Sequence, residues 1–281
     1  MATDHDSELD SDLDFDRETA VEPRGGGRYR AALERSWWVM RGPNGGYLAA
    51  IALRALAAAV GDAERAPRSL TVHYAAPPTD GALDVTTRIE REGRSLTSCS
   101  ARLEQRGRLI GMALGAFSRA RSGPDICDLV MPEVAPPEAV DARALPPDVP
   151  PIALRWESRP VLGAPVIGGA APADEAVTGS WIRLPEGHVV DAAVAAAITD
   201  AAIPAIFSRV DQAFVVPTVD LTIHFRSALP VRGARPDDFV LAVFRTGVVA
   251  EGFLEEDGEV WTADGTLIAQ SRQLAAVMPL A

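Results

Sequence analysis

The pentapeptide LTVHY, residues 70–74, is written again as LTIHF at residues 221–225, 151 positions later, with a histidine in the same slot each time. A motif repeated at about half the length of a 281-residue chain points to one structural unit used twice, and repetition constrains a fold more tightly than any local pattern does. The flanking elements recur in the same order. In the first half, RYRAALERSWWVM reads as a strand, followed by GGYLAAIALRALAAAV (residues 45–60), which has helical spacing and almost no polar face. Four strand-like stretches follow: RSLTVHYAAP, ALDVTTRIER, RSLTSCSARLEQ and RLIGMALGAFS. The second half gives TGSWIRL, the apolar helix HVVDAAVAAAITDAAI (residues 188–203), then TVDLTIHFRS, DFVLAVFRTGVV, GFLEEDGEVWTA and TLIAQSRQLAAV. Even the last hairpins agree, with GRLI at 107–110 opposite GTLI at 265–268.

A helix that is apolar nearly all round has to be covered nearly all round, and a strongly curved antiparallel sheet does this. The expected class is therefore α+β: two tandem hot-dog units, each a curved antiparallel sheet wrapped around one long apolar helix. The divisions are an acidic, disordered tail at 1–24, an N-terminal hot-dog at 25–118, a connector at 119–175 and a C-terminal hot-dog at 176–281. The connector holds eleven of the 22 prolines, a density that removes ladder donors and argues against a third domain. Residues 1–18 carry eight acidic side chains and one Arg, so −7 of the net −12 lies in the tail, with Leu9, Leu13 and Phe15 as its only large apolar residues.

Charge and composition exclude several classes. No basic stripe is present for nucleic acid, and no apolar run approaches the ~20 residues of a membrane span. An acidic N-terminus is no secretory signal, and Cys99 and Cys127 have no metal-like spacing, so a reduced, cytoplasmic protein without metal or cofactor is expected. GxSxG, GxxxxGK[ST], GxGxxG after a strand and HExxH are all absent. Of the four histidines (His5, His73, His188, His224), His73 and His224 hold equivalent strand slots on the more polar face and read as structural.

Polar residues that interrupt apolar patterns say more. In the second helix Asp200 follows a stripe of small residues; partial burial there would raise its pKa, the environment of a general base, although a helix-end cap is the plainer alternative. Period-two alternation in TLIAQSRQLAAVM puts Gln273 on the inward face, and alignment through GRLI and GTLI makes Gly115 its first-half counterpart. The polar set thus exists in one half only. GPNGGY (residues 42–47) opens the first helix; Asn44, Gly45, Gly46 and Tyr47 form a candidate substrate-binding turn whose free N–H groups could meet a carbonyl or phosphate, or simply a tight strand-to-helix turn. Trp37, Trp38 and Met40 are candidates for lining a substrate tunnel or for core.

Across residues 25–280, through WWVMRGPNGGYLAAIALRAL, PRSLTVHYAAPP, TDAAIPAIFS, VPTVDLTIHF and DGTLIAQSRQLAAV, the chain resembles the acyl-CoA thioesterase II type of double hot-dog protein. The resemblance implies hydrolysis of acyl-CoA thioesters, in lipid metabolism, with no metal and no acyl-enzyme. It also implies that Asp200, Thr218 and Gln273 hold the attacking water. Alternation alone puts Thr218 on the polar face with Asp220, Thr222 and His224, so its hydroxyl reaches inward only if the strand bulges after Pro217. A non-catalytic acyl-CoA binder is the second reading. A hot-dog hydratase is the third, disfavoured because His188 lies at the wrong end of Asp200's helix. One chain already supplies a hot-dog pair; a homodimer of chains is a further expectation.

Overall fold

The computed structural model describes residues 14–279 apart from positions 41 and 213, so His5, Leu9, Leu13 and the acidic run before residue 14 lie outside the described residues. The first half comprises α1 (Phe15–Glu18), β1 (Glu22–Gly25), β2 (Arg28–Leu33), α2 (Gly45–Val60), β3 (Ala66–Tyr74), β4 (Gly81–Glu92), β5 (Leu96–Gln105) and β6 (Arg108–Ser118). After the connector come β7 (Glu157–Leu162), β8 (Ala176–Arg183), α3 (Ala192–Ile198), β9 (Phe214–Val215) and β10 (Thr218–Phe225). The chain continues through β11 (Val240–Thr246), β12 (Val249–Ala250), β13 (Phe253–Thr262), β14 (Leu267–Ala276) and β15 (Met278–Pro279). One sheet runs β1-β2-β4-β5-β6-β3-β10-β14-β13-β11-β8-β7, with β12 beside β13, and both main helices lie against its inner face as two hot-dog units fused side by side.

The repeated strands meet at the middle of this sheet. LTVHY of β3 pairs antiparallel with LTIHF of β10, Thr71 directly opposite Thr222 and their hydroxyls 3.0 Å apart. Two near-identical antiparallel strands define a local two-fold axis, as in a dimer interface. Leu70, Val72, Leu221 and Ile223 face the core, while His73 and His224 are exposed on the outer face, as the alternation requires.

α2 begins where predicted, with the Asn44 side chain accepting from the Tyr47 N–H, and stops at Gly61, whose φ of 63° is the left-handed cap that glycine adopts without strain. From Gly46 to Leu53, and again at Ala55 and Leu56, it is buried on all sides. Small residues allow it to lie close to α3: a Cβ on Gly46 would stand 2.5 Å from the Ala197 carbonyl oxygen. Among the described residues no helix is long and apolar enough to cross a membrane.

Four expectations need correction. First, residues 14–24 are structured. Phe15 is fully buried between Trp37 and His188, with ring centroids 5.7 and 5.6 Å away. Glu18 accepts from Trp37 Nε1 at 2.8 Å and pairs with the buried Arg155 at 2.8 Å, and Asp16 bonds Arg54. The charge count along the tail could not register partners that arrive from positions 37, 54, 155 and 188. Second, the helix expected over 188–203 is only α3, Ala192–Ile198, because Asp191 caps its start and the chain leaves the helix at Thr199, ahead of Pro204. Third, the connector contributes β7 to the sheet beside β8, so the second unit begins earlier than residue 176. The strand expected over RYRAALERSWWVM likewise ends at Leu33, and Arg35–Trp37 form a 3-10 turn.

Candidate active site

Asp200 lies just past the C-terminus of α3, aimed at the N-terminus of α2 from the other half. Its Oδ2 accepts from Asn44 Nδ2 at 2.8 Å and from the Gly46 N–H at 3.1 Å, and the Gly45 N–H and the Gln273 side chain also favour its charged form. Asn44 Nδ2 is close to the Asp200 main-chain oxygen as well, at 2.6 Å, which pins the loop that carries the carboxylate. Gly45 must lack a side chain here, since a Cβ would come within 2.9 Å of Asp200 Oδ2 and 3.1 Å of the Tyr74 ring. Tyr74, the last residue of LTVHY, donates its hydroxyl to the Gly45 carbonyl at 2.7 Å. Burial and the Asp200 charge raise its phenol well above the ordinary value, so it stays protonated.

Two physical effects oppose each other at Asp200. The unsatisfied N–H groups and positive end of a 16-residue helix favour the carboxylate, as do the Asn44 and Gln273 donors. Desolvation favours the neutral acid and is the larger effect, pushing the pKa up from 3.8 to about 6.

Gln273 is buried on the inner face of β14 and completes the group. Its Oε1 accepts from Thr218 Oγ1 at 2.9 Å and its Nε2 donates to Glu256 Oε1 at 2.8 Å. Thr218 reaches it because the register between β10 and β14 shifts between Thr218 and Asp220, which turns the hydroxyl off the outer face that strict alternation assigned to it. Asp200, Thr218 and Gln273 are therefore contiguous.

The predicted substrate-binding turn divides differently. Asn44, Gly45 and Gly46 surround Asp200, so the helix N-terminus serves the carboxylate rather than standing free for a substrate carbonyl or phosphate. Tyr47 is not at the site: its ring is fully buried, stacked on Trp37 at 5.0 Å, and its hydroxyl donates to the Glu18 carbonyl at 2.7 Å. Trp37 and Trp38 are core, and Met40 is exposed. His188 packs against Phe15 and lies beside Asp16 rather than beside Asp200. Among the described residues no cluster of His, Cys, Asp or Glu could hold a metal ion.

Glu256 escaped the sequence reading. Period two along FLEEDGEV places it with Leu254, Gly258 and Val260 on the inner face, the same signal that exposed Gln273, but adjacent Glu255 and Asp257 disguise it as part of a charged run. It is 4% exposed, and its Oε2 accepts from the Ala205 N–H at 2.6 Å. Burial, with smaller contributions from Asp200 and Glu255, pushes its carboxyl up to about 7.

A curved sheet around two packed helices, with an enclosed carboxylate and amide where they meet, defines a double hot-dog protein. Comparison with known proteins agrees. Residues 34–118 match the acyl-CoA thioesterase N-terminal domain and residues 132–277 the acyl-CoA thioesterase C-terminal domain; the chain belongs to the acyl-CoA thioesterase family. An uncharacterized protein of Mycobacterium tuberculosis is 27% identical over 277 residues, spanning 89% of this chain and 90% of the relative. A conserved hot-dog protein of unknown function from Alicyclobacillus acidocaldarius superposes with a TM-score of 0.84 at 26% identity, covering 95% of this chain and 98% of the other. The acyl-CoA thioesterase II TesB2 of Mycobacterium marinum shares the fold, with a TM-score of 0.76 at 18% identity over 95% and 99% of the two chains.

Proposed function

We propose that this protein hydrolyses a fatty acyl-CoA to the free acid and CoA by direct attack of water, with Asp200 as general base and with Thr218 and Gln273 holding that water. The observation that carries the reading is the Asp200 carboxylate, set between the N-terminus of α2 and the Gln273 amide with its pKa raised to about 6. A base of that strength is ionised at neutral pH yet accepts a proton far more readily than an exposed carboxylate. Asp200 takes the proton as water adds to the thioester carbonyl and can return it to the departing thiolate. Thr218 donates to Gln273, which leaves its oxygen lone pairs available to accept from the water. Because a thiolate leaves readily, a positioned water and a base suffice without a covalent acyl-enzyme. No nucleophilic Ser or Cys stands beside Asp200 among the described hydrogen-bond partners of the site.

Release of free thiol from a panel of acyl-CoAs tests this. Hydrolysis of at least one member, abolished by Asp200→Asn, is the expected result. Binding of acyl-CoA without thiol release identifies a binding protein instead.

A further inference from the structure

Gln273 presents an amide whose two ends have nearly the same shape, and only its hydrogen-bond partners decide which end faces the base. The partner behind it is Glu256, directly opposite Gln273 in the β13–β14 register. Both of its oxygens act as acceptors: Oε1 for Gln273 Nε2 at 2.8 Å and Oε2 for the Ala205 N–H at 2.6 Å. The second bond cannot be reversed, because a backbone N–H only donates. Ala205 opens the turn five residues after Asp200, so one carboxylate ties the loop that carries the base to the strand that carries the amide.

We propose that Glu256 is a positioning residue of the hydrolytic site, holding Gln273 with its nitrogen inward and its oxygen toward Thr218 while anchoring the Asp200 loop. The inference rests on the hydrolase reading above and deepens it. A carboxylate is an expensive choice at this position. The charged groups that face it are Asp200 and Glu255, both acidic, and among the described residues no Lys, Arg or His pairs with it. In the first half, where no such site exists, the position related by register is Cys99, opposite Gly115 as Glu256 is opposite Gln273. An apolar or thiol side chain therefore satisfies the fold there, and the buried acid belongs to the half that carries the site.

Glu256→Gln keeps size and removes charge, but its single carbonyl is claimed by Ala205. Its amide then faces residue 273, which must turn over and offer nitrogen to Thr218. The expected effect is a fall in kcat of roughly 10- to 100-fold, the range seen when partners behind catalytic ligands are removed, with KM changed less than about twofold. In a Gln273→Ala background the same substitution should change kcat less than about twofold. Equal losses in both backgrounds, or a wild-type kcat in the single variant, would overturn the proposal. A measurement on the unaltered protein covers failure of the variant to fold. The Gln273 side-chain amide protons, assigned by their loss in Gln273→Ala, should exchange with solvent far more slowly than those of exposed glutamines. Free exchange overturns the assignment. If the wild type hydrolyses no acyl-CoA, the hydrolase reading fails, while the exchange measurement still decides whether Glu256 holds the amide.

Discussion

The two halves share a fold but not the polar side chains at its centre, and register makes the comparison residue by residue. Leu70, Gly115 and Cys99 stand across β3, β6 and β5, as Leu221, Gln273 and Glu256 do across β10, β14 and β13. Pro67, 151 positions before Thr218, holds the corresponding strand start. Where the second half places an amide and an acid, the first closes the space: a Cβ on Gly115 would meet Leu56 Cδ1 at 3.0 Å and Phe117 Cε2 at 3.1 Å. The first half is not idle, however, since it lends the N-terminus of α2 and Asn44 to the carboxylate of the other, and its Tyr74 hydroxyl holds the Gly45 carbonyl at that terminus. The difference teaches that two halves of one fold can diverge at matched positions and still contribute jointly to one polar cluster.

Four changes sharpen or break that comparison. Asp200→Asn removes the base and should lower kcat by about 100-fold or more; a loss within twofold, measured by thiol release, would remove Asp200 from the mechanism. The wild-type rate should rise with pH as Asp200 ionises near 6 and level off only once Glu256, near 7, is ionised as well. The stability effect has the opposite sign. A carboxyl whose pKa rises from 3.8 to about 6 on folding gains protons in the native state, so it costs stability progressively as pH climbs through that window. The Asn variant should therefore melt no lower than wild type above pH 6, and the advantage should vanish near pH 4.

Gly115→Gln writes the second-half amide into the first. Overpacking against Leu56 and Phe117, together with an amide lacking a carboxylate partner, should cost about 3 kcal/mol in denaturant unfolding and add no second activity. Thr218→Val keeps the shape but removes the bond to Gln273, and should cost about tenfold in kcat, or ~1.4 kcal/mol, with little change in melting temperature. Thr222→Val breaks the hydroxyl pair at the two-fold axis. With Thr71 still partly open to water, unfolding should register about 1 kcal/mol or less and the rate should not move.

Much of this was legible before any coordinates. The doubled strand, the all-apolar first helix and the inward Gln273 follow from period and repetition alone, because sheet alternation and helix coverage are local consequences of sequence. Thr218 was not decided by alternation, since a bulge shifts parity and leaves no mark in residue type. The acidic run misled in a different way: Phe15 and Glu18 are held by Trp37, Arg155 and His188, contacts that distance along the chain conceals. Tyr47 shows a different error: the turn was read as meeting a substrate, whereas Asn44 and Gly46 bond Asp200 and Tyr47 turns into the core. Glu256 was visible in principle and lost among its charged neighbours.

The meeting of β3 with β10 has one more consequence. Hydrogen bonds of a continuous ladder, and the grip of Asn44 on Asp200, already hold the halves together without help from the covalent chain between them. The stretch from Arg119 to Val130 is exposed throughout and forms no regular structure. Scission there should yield two fragments that stay associated as a working pair, so that one gene product behaves, once cut, like the two separate polypeptides of a heterodimer.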